Sequence, residues 1–175
     1  MPLGCMIPLH FEPYFFDKIM RVIIFENDKG WVSIVSPYYP PGTTAKQEAE
    51  IATVVQQKDV PRLPDGSMRP SHIVEYSSLD GIKLFFEAWR LKDGKAVWHK
   101  PAADELQRKH FRALRKPILE RLDVEFIRAL ESGDNVLVAA IAAQKKKLRD
   151  VTLIDMSEHS TPESLKAFVP DILKD

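Results

Sequence analysis

Residues 104–150, DELQRKHFRALRKPILERLDVEFIRALESGDNVLVAAIAAQKKKLRD, contain the strongest structural pattern of the chain. Apolar residues recur there at steps of three to five positions, which places them on one stripe of a helix. The stripe before Gly133 consists of Leu106, Phe111, Leu114, Ile118, Leu122, Phe126 and Leu130, and the stripe after it of Leu137, Ile141 and Leu148. A short connection makes consecutive helices antiparallel neighbours, so this stretch predicts a helical hairpin.

Local signals predict where the two helices begin and end. Asp104 is a typical N-cap residue with Gln107 three positions later, and Gly133 suits the left-handed position that follows a helix. Asn135 is expected to cap the second helix. Pro117 falls inside the first helix, where its missing N–H and its ring cost about 3 kcal/mol. That cost is avoided where a helix kinks or restarts, and we expect a kink at Pro117.

The charges of the hairpin are separated along its length. Cations crowd the first part of the first helix and the end of the second, so antiparallel packing brings them together at the open end, whereas carboxylates lie nearer the turn. The candidate partner-binding residues are Arg108, Arg112, Arg115, Lys116, Lys145, Lys146 and Arg149. A solvated helix face is the simplest interpretation, an acidic protein partner is the second, and a phosphate backbone is the third.

Before the hairpin, the sequence predicts a small antiparallel sheet with one helix. The β-branched and aromatic runs that predict strands cover residues 21–26, 31–36, 72–76, 85–91 and 96–99. Gly30 closes the first predicted β-hairpin, and Asp93-Gly94 lies at the centre of the second. Thr44 and Gln47 form a capping box that begins a helix extending to Gln57. The three tryptophans lie in predicted strands, where core packing is their ordinary role.

After the hairpin, Thr161 and Pro162 predict the cap and first residue of a short helix that ends near Pro170. The predicted class is therefore α+β: a small antiparallel β domain with one helix, then an antiparallel helical hairpin and a short C-terminal helix. The expected units are an irregular arm over residues 1–19, the α+β domain over 20–100 and the helical part over 101–175. Either translation begins at Met20 and the arm is an extension, or the arm docks its aromatic residues on a neighbour.

Composition excludes several classes of protein. The chain has 25 basic and 25 acidic residues, so its bulk charge predicts no polyanionic partner. The single cysteine, Cys5, excludes an intrachain disulfide framework and favours a reducing cytoplasm. No apolar run approaches the roughly 18 residues that a membrane helix needs. We therefore expect no membrane association.

No group of residues in the sequence predicts catalysis. The five histidines include no pair at metal-ligand spacing with a third ligand nearby. The chain also lacks the glycine-rich loops that bind phosphates and the serine motif of hydrolases. We therefore predict a protein without enzymatic activity, cofactor or metal. An enzyme whose site is assembled only by the fold would require a deep pocket with converging titratable groups.

Several segments, in this order along the chain, resemble a family of small proteins from tailed bacteriophages and prophages. They are RVIIFENDKGWVSIVSP from residue 21, KDVP from 58, FFEAW from 85, LDVEFIRALESGD from 122, AAIAAQKKKLRDVT from 139 and TPESLKAFVP from 161. The resemblance covers about residues 20–173, and the helical part is similar to segments called tail assembly chaperone domains. It implies a tail assembly chaperone or a minor virion component in the bacterial host cytoplasm during assembly, or in the virion. No catalytic residue follows from it.

The partners expected from this resemblance are phage structural proteins or a second copy of the chain. The contact surfaces would be the apolar edge of the hairpin, which suits another helix, and the exposed edges of the sheet. The alternative is a nucleic-acid-binding accessory protein that uses the basic end of the hairpin. That alternative requires Arg112, Arg115, Lys145 and Arg149 to lie together and unpaired.

Overall fold

The computed structural model describes residues Met20–Lys174, which form strands and helices in the predicted α+β arrangement. The strands are β1 (Arg21–Glu26), β2 (Val32–Val35), β3 (Ser71–Glu75), β4 (Trp89–Lys92) and β5 (Lys95–Trp98). The helices are α1 (Ala45–Asp59), α2 (Lys100–Glu131), α3 (Asn135–Asp150) and α4 (Pro162–Ala167). The arm expected over residues 1–19 lies outside the described residues.

Strand β1 is the centre of a three-stranded antiparallel sheet in the order β2-β1-β3. Its alternate side chains point to opposite faces of the sheet, and both faces are covered. Ile23 and Phe25 pack with Val60, which follows α1, whereas Val22 and Ile24 belong to the cluster on the other face. Burial on both faces explains why β1 is a continuous apolar run instead of an alternating one.

Helix α1 begins where the sequence predicts it. The Thr44 hydroxyl accepts a hydrogen bond from the Gln47 backbone N–H, and the Gln47 side chain accepts one from the Thr44 N–H at 2.9 Å. The capping box is thereby confirmed. At the other end, the Gln56 amide donates to the Ser71 carbonyl at 2.9 Å, which ties α1 to the start of β3.

The second β-hairpin is shorter than predicted and forms a separate two-stranded sheet of β4 and β5. Phe86–Ala88 form a 3-10 turn instead of a strand, because Phe85 before them has a left-handed backbone with φ of 53°. The expectation of a strand over 85–91 is therefore wrong for its first four residues. Asp93 and Gly94 both have positive φ, as the predicted two-residue turn requires.

Helix α2 begins at Lys100 and not at Asp104. His99 is the N-cap, since its ring nitrogen accepts from the Ala102 N–H, and Pro101 occupies the first turn, where no N–H is needed. Asp104 lies inside the helix and forms an ion pair with Lys100. The expected cap at Asp104 is thus wrong, because the helical geometry continues one turn further back.

The predicted helical hairpin is confirmed. Helix α2 ends at Glu131, and Gly133 adopts φ of +71° in the turn. The cap of α3 is Asp134, whose carboxylate accepts from the Leu137 N–H at 2.9 Å, and not Asn135 as expected. After the hairpin, Thr161 caps the short helix α4, which is also as predicted.

The core of the hairpin follows most of the predicted stripe. The stripe residues that are buried are Phe111, Ile118, Leu122, Ile141 and Leu148, and Leu106, Leu114 and Phe126 pack partly buried against them. Leu130 and Leu137 were expected in this core but are 53% and 45% exposed. Ala129 takes the place of Leu130, because it follows Leu122 by two full helical turns and Leu130 is rotated away.

Trp98 connects the sheets to the helices. Its side chain packs against the core that contains β1 and also against the core of the hairpin. Its ring contacts Phe85 and Trp89 at centroid distances of 5.7 and 5.8 Å. The expected boundary between the α+β domain and the helical part, at residue 100, therefore lies two residues from a side chain that packs against both cores.

Helix α2 is continuous through Pro117, so the helix does not restart there, and the kink stays a prediction. Pro117 is exposed and cannot donate to the carbonyl four residues earlier. We expect Pro117→Ala to raise the free energy of unfolding by about 1–2 kcal/mol, less than the ~3 kcal/mol of isolated helices because α2 already accommodates the proline. Urea denaturation followed by circular dichroism measures the change. Lys116→Ala is the matched control and should be nearly neutral, while a loss of stability in Pro117→Ala would contradict the prediction.

Candidate functional site

Arg115 joins the two helices at the open end of the hairpin. Its guanidinium donates to the backbone carbonyls of Arg149, at 2.7 Å, and Leu148, at 3.3 Å. The last carbonyls of a helix have no partner within the helix, and a cation is favoured there by the helix dipole. Arg115 therefore caps the end of α3.

Two more cations of α2 continue this pattern along the segment after α3. The Arg108 side chain donates to the Thr152 carbonyl at 3.2 Å, and the Lys100 ammonium donates to the Met156 carbonyl at 2.9 Å. We call Lys100, Arg108 and Arg115 the cation ladder. Since each member bonds a backbone carbonyl of the returning chain, the ladder is a structural feature of the fold.

Other predicted partner-binding residues form ion pairs within α2. Arg112 bonds Glu105 at 2.8 Å, and this hydrogen bond lowers the pKa of Glu105 below its ordinary value. Lys116 lies 3.9 Å from Glu120, and both side chains are largely exposed. These contacts occupy exposed positions and contribute little to stability.

On α3, the predicted cations divide into one engaged and two exposed side chains. Lys145 is 13% exposed, pairs with Asp123 and lies over the Phe126 ring at 4.9 Å. Lys146 and the side chain of Arg149 are exposed and form no ion pair with the described residues.

The structure thus brings the two basic groups together at the open end, as the sequence predicts, but it also pairs them. Of the four cations that the nucleic-acid alternative requires to be free, Arg112, Arg115 and Lys145 are engaged within the chain. A phosphate backbone would have to displace those contacts. The geometry therefore disfavours the basic end as a nucleic-acid site.

A different surface lies at the closed end of the hairpin, around Gly133. It exposes large apolar side chains of the last turns of α2 and the first turn of α3. These residues, which we call the hairpin tip, are Val124, Ile127, Leu130, Val136 and Leu137, with exposed fractions of 49, 55, 53, 83 and 45%. Exposed apolar side chains are typical of protein interaction sites where they form a contiguous patch.

Acidic residues are frequent in the segment of sequence that carries the hairpin tip. Residues 120–134 carry five acidic side chains and two arginines, so this end of the hairpin is negative. An apolar patch with an acidic rim suits an amphipathic helix whose apolar stripe is flanked by cations.

The sequence analysis missed Val124 and Ile127 because they lie off the stripe predicted to be buried. The signal that could have identified them is the presence of large apolar residues on the helix face predicted to contact solvent.

The described residues also form a groove of about 460 Å³ beside α4, open to solvent. His159 Nδ1 lies 2.9 Å from the Ser164 hydroxyl, and its ring stacks on Phe168 at 4.3 Å. No carboxylate of the described residues bonds the other ring nitrogen, and Asp171 pairs with Lys174 instead. The groove does not have the depth and converging groups that the enzyme alternative requires.

Within residues 20–174, no three histidine, cysteine or carboxylate side chains are placed to hold a metal ion. In the same part of the chain, no helix combines the length and the hydropathy that crossing a membrane requires. Comparison of the chain with protein-family models, with curated proteins and with solved structures finds no match.

Proposed function

We propose that this protein acts by binding another protein through the hairpin tip, without catalysis. The observation that supports the proposal is the exposure of five large apolar side chains at one end of an otherwise charged hairpin. Leaving such a patch in water is unfavourable by roughly 25 cal/mol per Å² of apolar surface, so a partner that covers it gains this free energy. The acidic rim selects a partner helix that carries cations.

The biological setting in this proposal comes from the resemblance described above. The protein is then a tail assembly chaperone or a minor virion component of a bacteriophage or prophage. Its partners are phage structural proteins, which it meets in the bacterial host cytoplasm during assembly or in the virion. A pair of helices that exposes apolar side chains at one end suits such a role, because another helix can pack on them.

Crosslinking in the producing bacterium tests this proposal. A photo-crosslinking amino acid at Ile127 is expected to capture a tail or virion protein, identified by mass spectrometry. The same amino acid at Val54, which is 62% exposed on α1, is the matched control and should capture far less. Ile127→Asp should reduce recovery of that partner by at least about tenfold, since a charge at the centre of an apolar contact is costly.

Equal capture from positions 127 and 54 would contradict the proposal, as would a partner that is not a phage protein. Mass spectrometry of purified particles then separates the two roles. Peptides of α2 and α3 at an integral copy number identify a structural component. Their absence from particles, with the protein present in the cells, identifies a chaperone.

A further inference from the structure

Strand β5 forms one edge of the two-stranded sheet and pairs only with β4 among the described residues. The His99 N–H donates to the Ala88 carbonyl, and hydrogen-bonded pairs alternate along an antiparallel ladder. The N–H and C=O groups of Ala96 and Trp98 therefore point away from β4. Within residues 20–174, these groups have no hydrogen-bond partner, so β5 is an open strand edge.

The edges of the three-stranded sheet are already occupied. On β3, the Ser71 carbonyl accepts from the Gln56 amide at 2.9 Å, and the Glu75 carbonyl accepts from the Ser78 hydroxyl at 2.6 Å. On β2, Val32 has no exposed surface, so that edge is covered. Of these three edges, β5 is the one that is open to a further strand.

The solvent face of β4 and β5 is basic. Cross-strand partners and alternate residues of a strand share a face, which places on it Arg90, Lys92, Lys95 and Val97. The two lysines are exposed and directly opposite each other, which is unfavourable for like charges. Asp93 in the turn is the single carboxylate between Arg90 and Val97, so three cations and one carboxylate give a net charge of +2.

The cations of this basic face have no carboxylate partner among the described residues. Arg90 donates only from Nη1, to the carbonyls of Glu87 and Trp89 at 2.7 and 3.1 Å, which holds its guanidinium in place. Lys92 and Lys95 form no ion pair within the described part of the chain, with Asp93 or with any other carboxylate. A carboxylate beside them would replace a repulsion by attractions.

We propose that β5 binds an extended acidic segment of a partner protein, which pairs with it as an added strand. The backbone of the segment bonds to the free groups of Ala96 and Trp98, and its carboxylates lie on the basic face beside Lys95. A lysine on an edge strand disfavours apolar and cationic segments, so it selects acidic ones. A nucleic acid fits less well, because it has no peptide groups to pair with both the N–H and the C=O groups of the edge.

This surface is separate from the hairpin tip, so the inference goes beyond the proposed function. β5 ends just before α2 begins, whereas the hairpin tip lies at the other end of α2. That helix has 32 residues and is therefore about 48 Å long. One partner can bind at each end.

Nuclear magnetic resonance of the isotope-labelled full chain tests this inference, with a short synthetic peptide of alternating glutamate and threonine as the probe. Binding should saturate and should weaken as salt is raised. It should also slow amide hydrogen exchange at Ala96 and Trp98, because strand pairing protects their N–H groups. A peptide of alternating lysine and threonine should bind at least about tenfold more weakly. An oligothymidylate of equal charge should leave exchange at both amides unchanged.

Variants separate the charge of the surface from its strand edge. Lys95→Glu should weaken binding of the glutamate peptide by at least about tenfold. Lys46→Glu makes the same charge change at an exposed site of α1 and should bind like the wild type. Ala96→Pro removes an N–H that points away from β4, so it should weaken binding by at least about fivefold while the sheet is retained. Circular dichroism of every variant verifies folding.

Several results would overturn the inference. They are a glutamate peptide that does not bind, binding that leaves exchange at Ala96 and Trp98 unchanged, equal binding of the lysine peptide, tighter binding of the oligothymidylate, and normal binding by Lys95→Glu. The exchange measurement uses the wild-type chain and does not depend on how any variant folds. None of these results alters the crosslinking expected from position 127, so failure of this inference is distinguishable from failure of the proposed function.

Discussion

Replacing Phe111 with alanine is expected to lower the free energy of unfolding by about 3–5 kcal/mol. Phe111 has no exposed surface and is among the largest fully buried side chains of the described residues. It packs edge-on against Phe168 at a centroid distance of 5.9 Å, which joins α2 to the segment after α4. The loss combines the removed apolar area with the cavity that remains. Urea denaturation monitored by circular dichroism measures it.

Val124→Ala is the matched control for this prediction, because Val124 is on the same helix but 49% exposed. Its effect should stay below about 1 kcal/mol. A loss of less than 1 kcal/mol in Phe111→Ala would show that the C-terminal segment does not pack on α2 in solution.

Trp98→Ala is expected to lower the free energy of unfolding by about 3 kcal/mol, the low end of the range for buried tryptophans. The side chain is partly exposed, and its buried indole N–H has no hydrogen-bond partner among residues 20–174, so part of the loss is offset. Because Trp98 packs against both cores, hydrogen exchange should increase in β1 and in α2 together.

Trp31→Ala provides the comparison for Trp98. Trp31 follows the turn of the first β-hairpin, with Lys29 over its ring at 5.0 Å, and belongs to neither of those cores. Its removal should affect β1 and β2 but not α2. If Trp98→Ala increases exchange in only one of the two halves, the sheet and the helices are energetically separate units.

Elements with strong local chemistry are predictable from the sequence. β1 and the capping box at Thr44 follow from side-chain pattern, and the turns at Gly94 and Gly133 follow from the need for a positive φ. The start of α2 was not predictable in the same way. His99, the actual N-cap, is an uncommon residue at that position. Asp104 is a residue type that often caps helices, although here it lies inside α2, so the sequence indicated the wrong start.

The candidate site was predictable only in part, for a different reason. The meeting of the two basic groups follows from antiparallel geometry and is confirmed by the contact of Arg115 with the Arg149 carbonyl. The capping role of Arg115 could not be predicted in this way. Every residue has a backbone carbonyl, and no sequence pattern identifies which carbonyl accepts the hydrogen bond. The exposed Ile127 was also missed, because it lies off the stripe that the sequence predicts to be buried.

The cation ladder also bears on the order in which the helical part forms. The sequence separations of its contacts increase steadily, from 34 residues for Arg115 with Arg149 to 44 for Arg108 with Thr152 and 56 for Lys100 with Met156. Closing a loop costs more entropy as the loop lengthens, but each contact that forms shortens the loop left for the next. The hairpin can therefore form progressively from the Gly133 turn toward its open end. Each contact between residues distant in sequence then costs only about as much loop-closure entropy as a local contact.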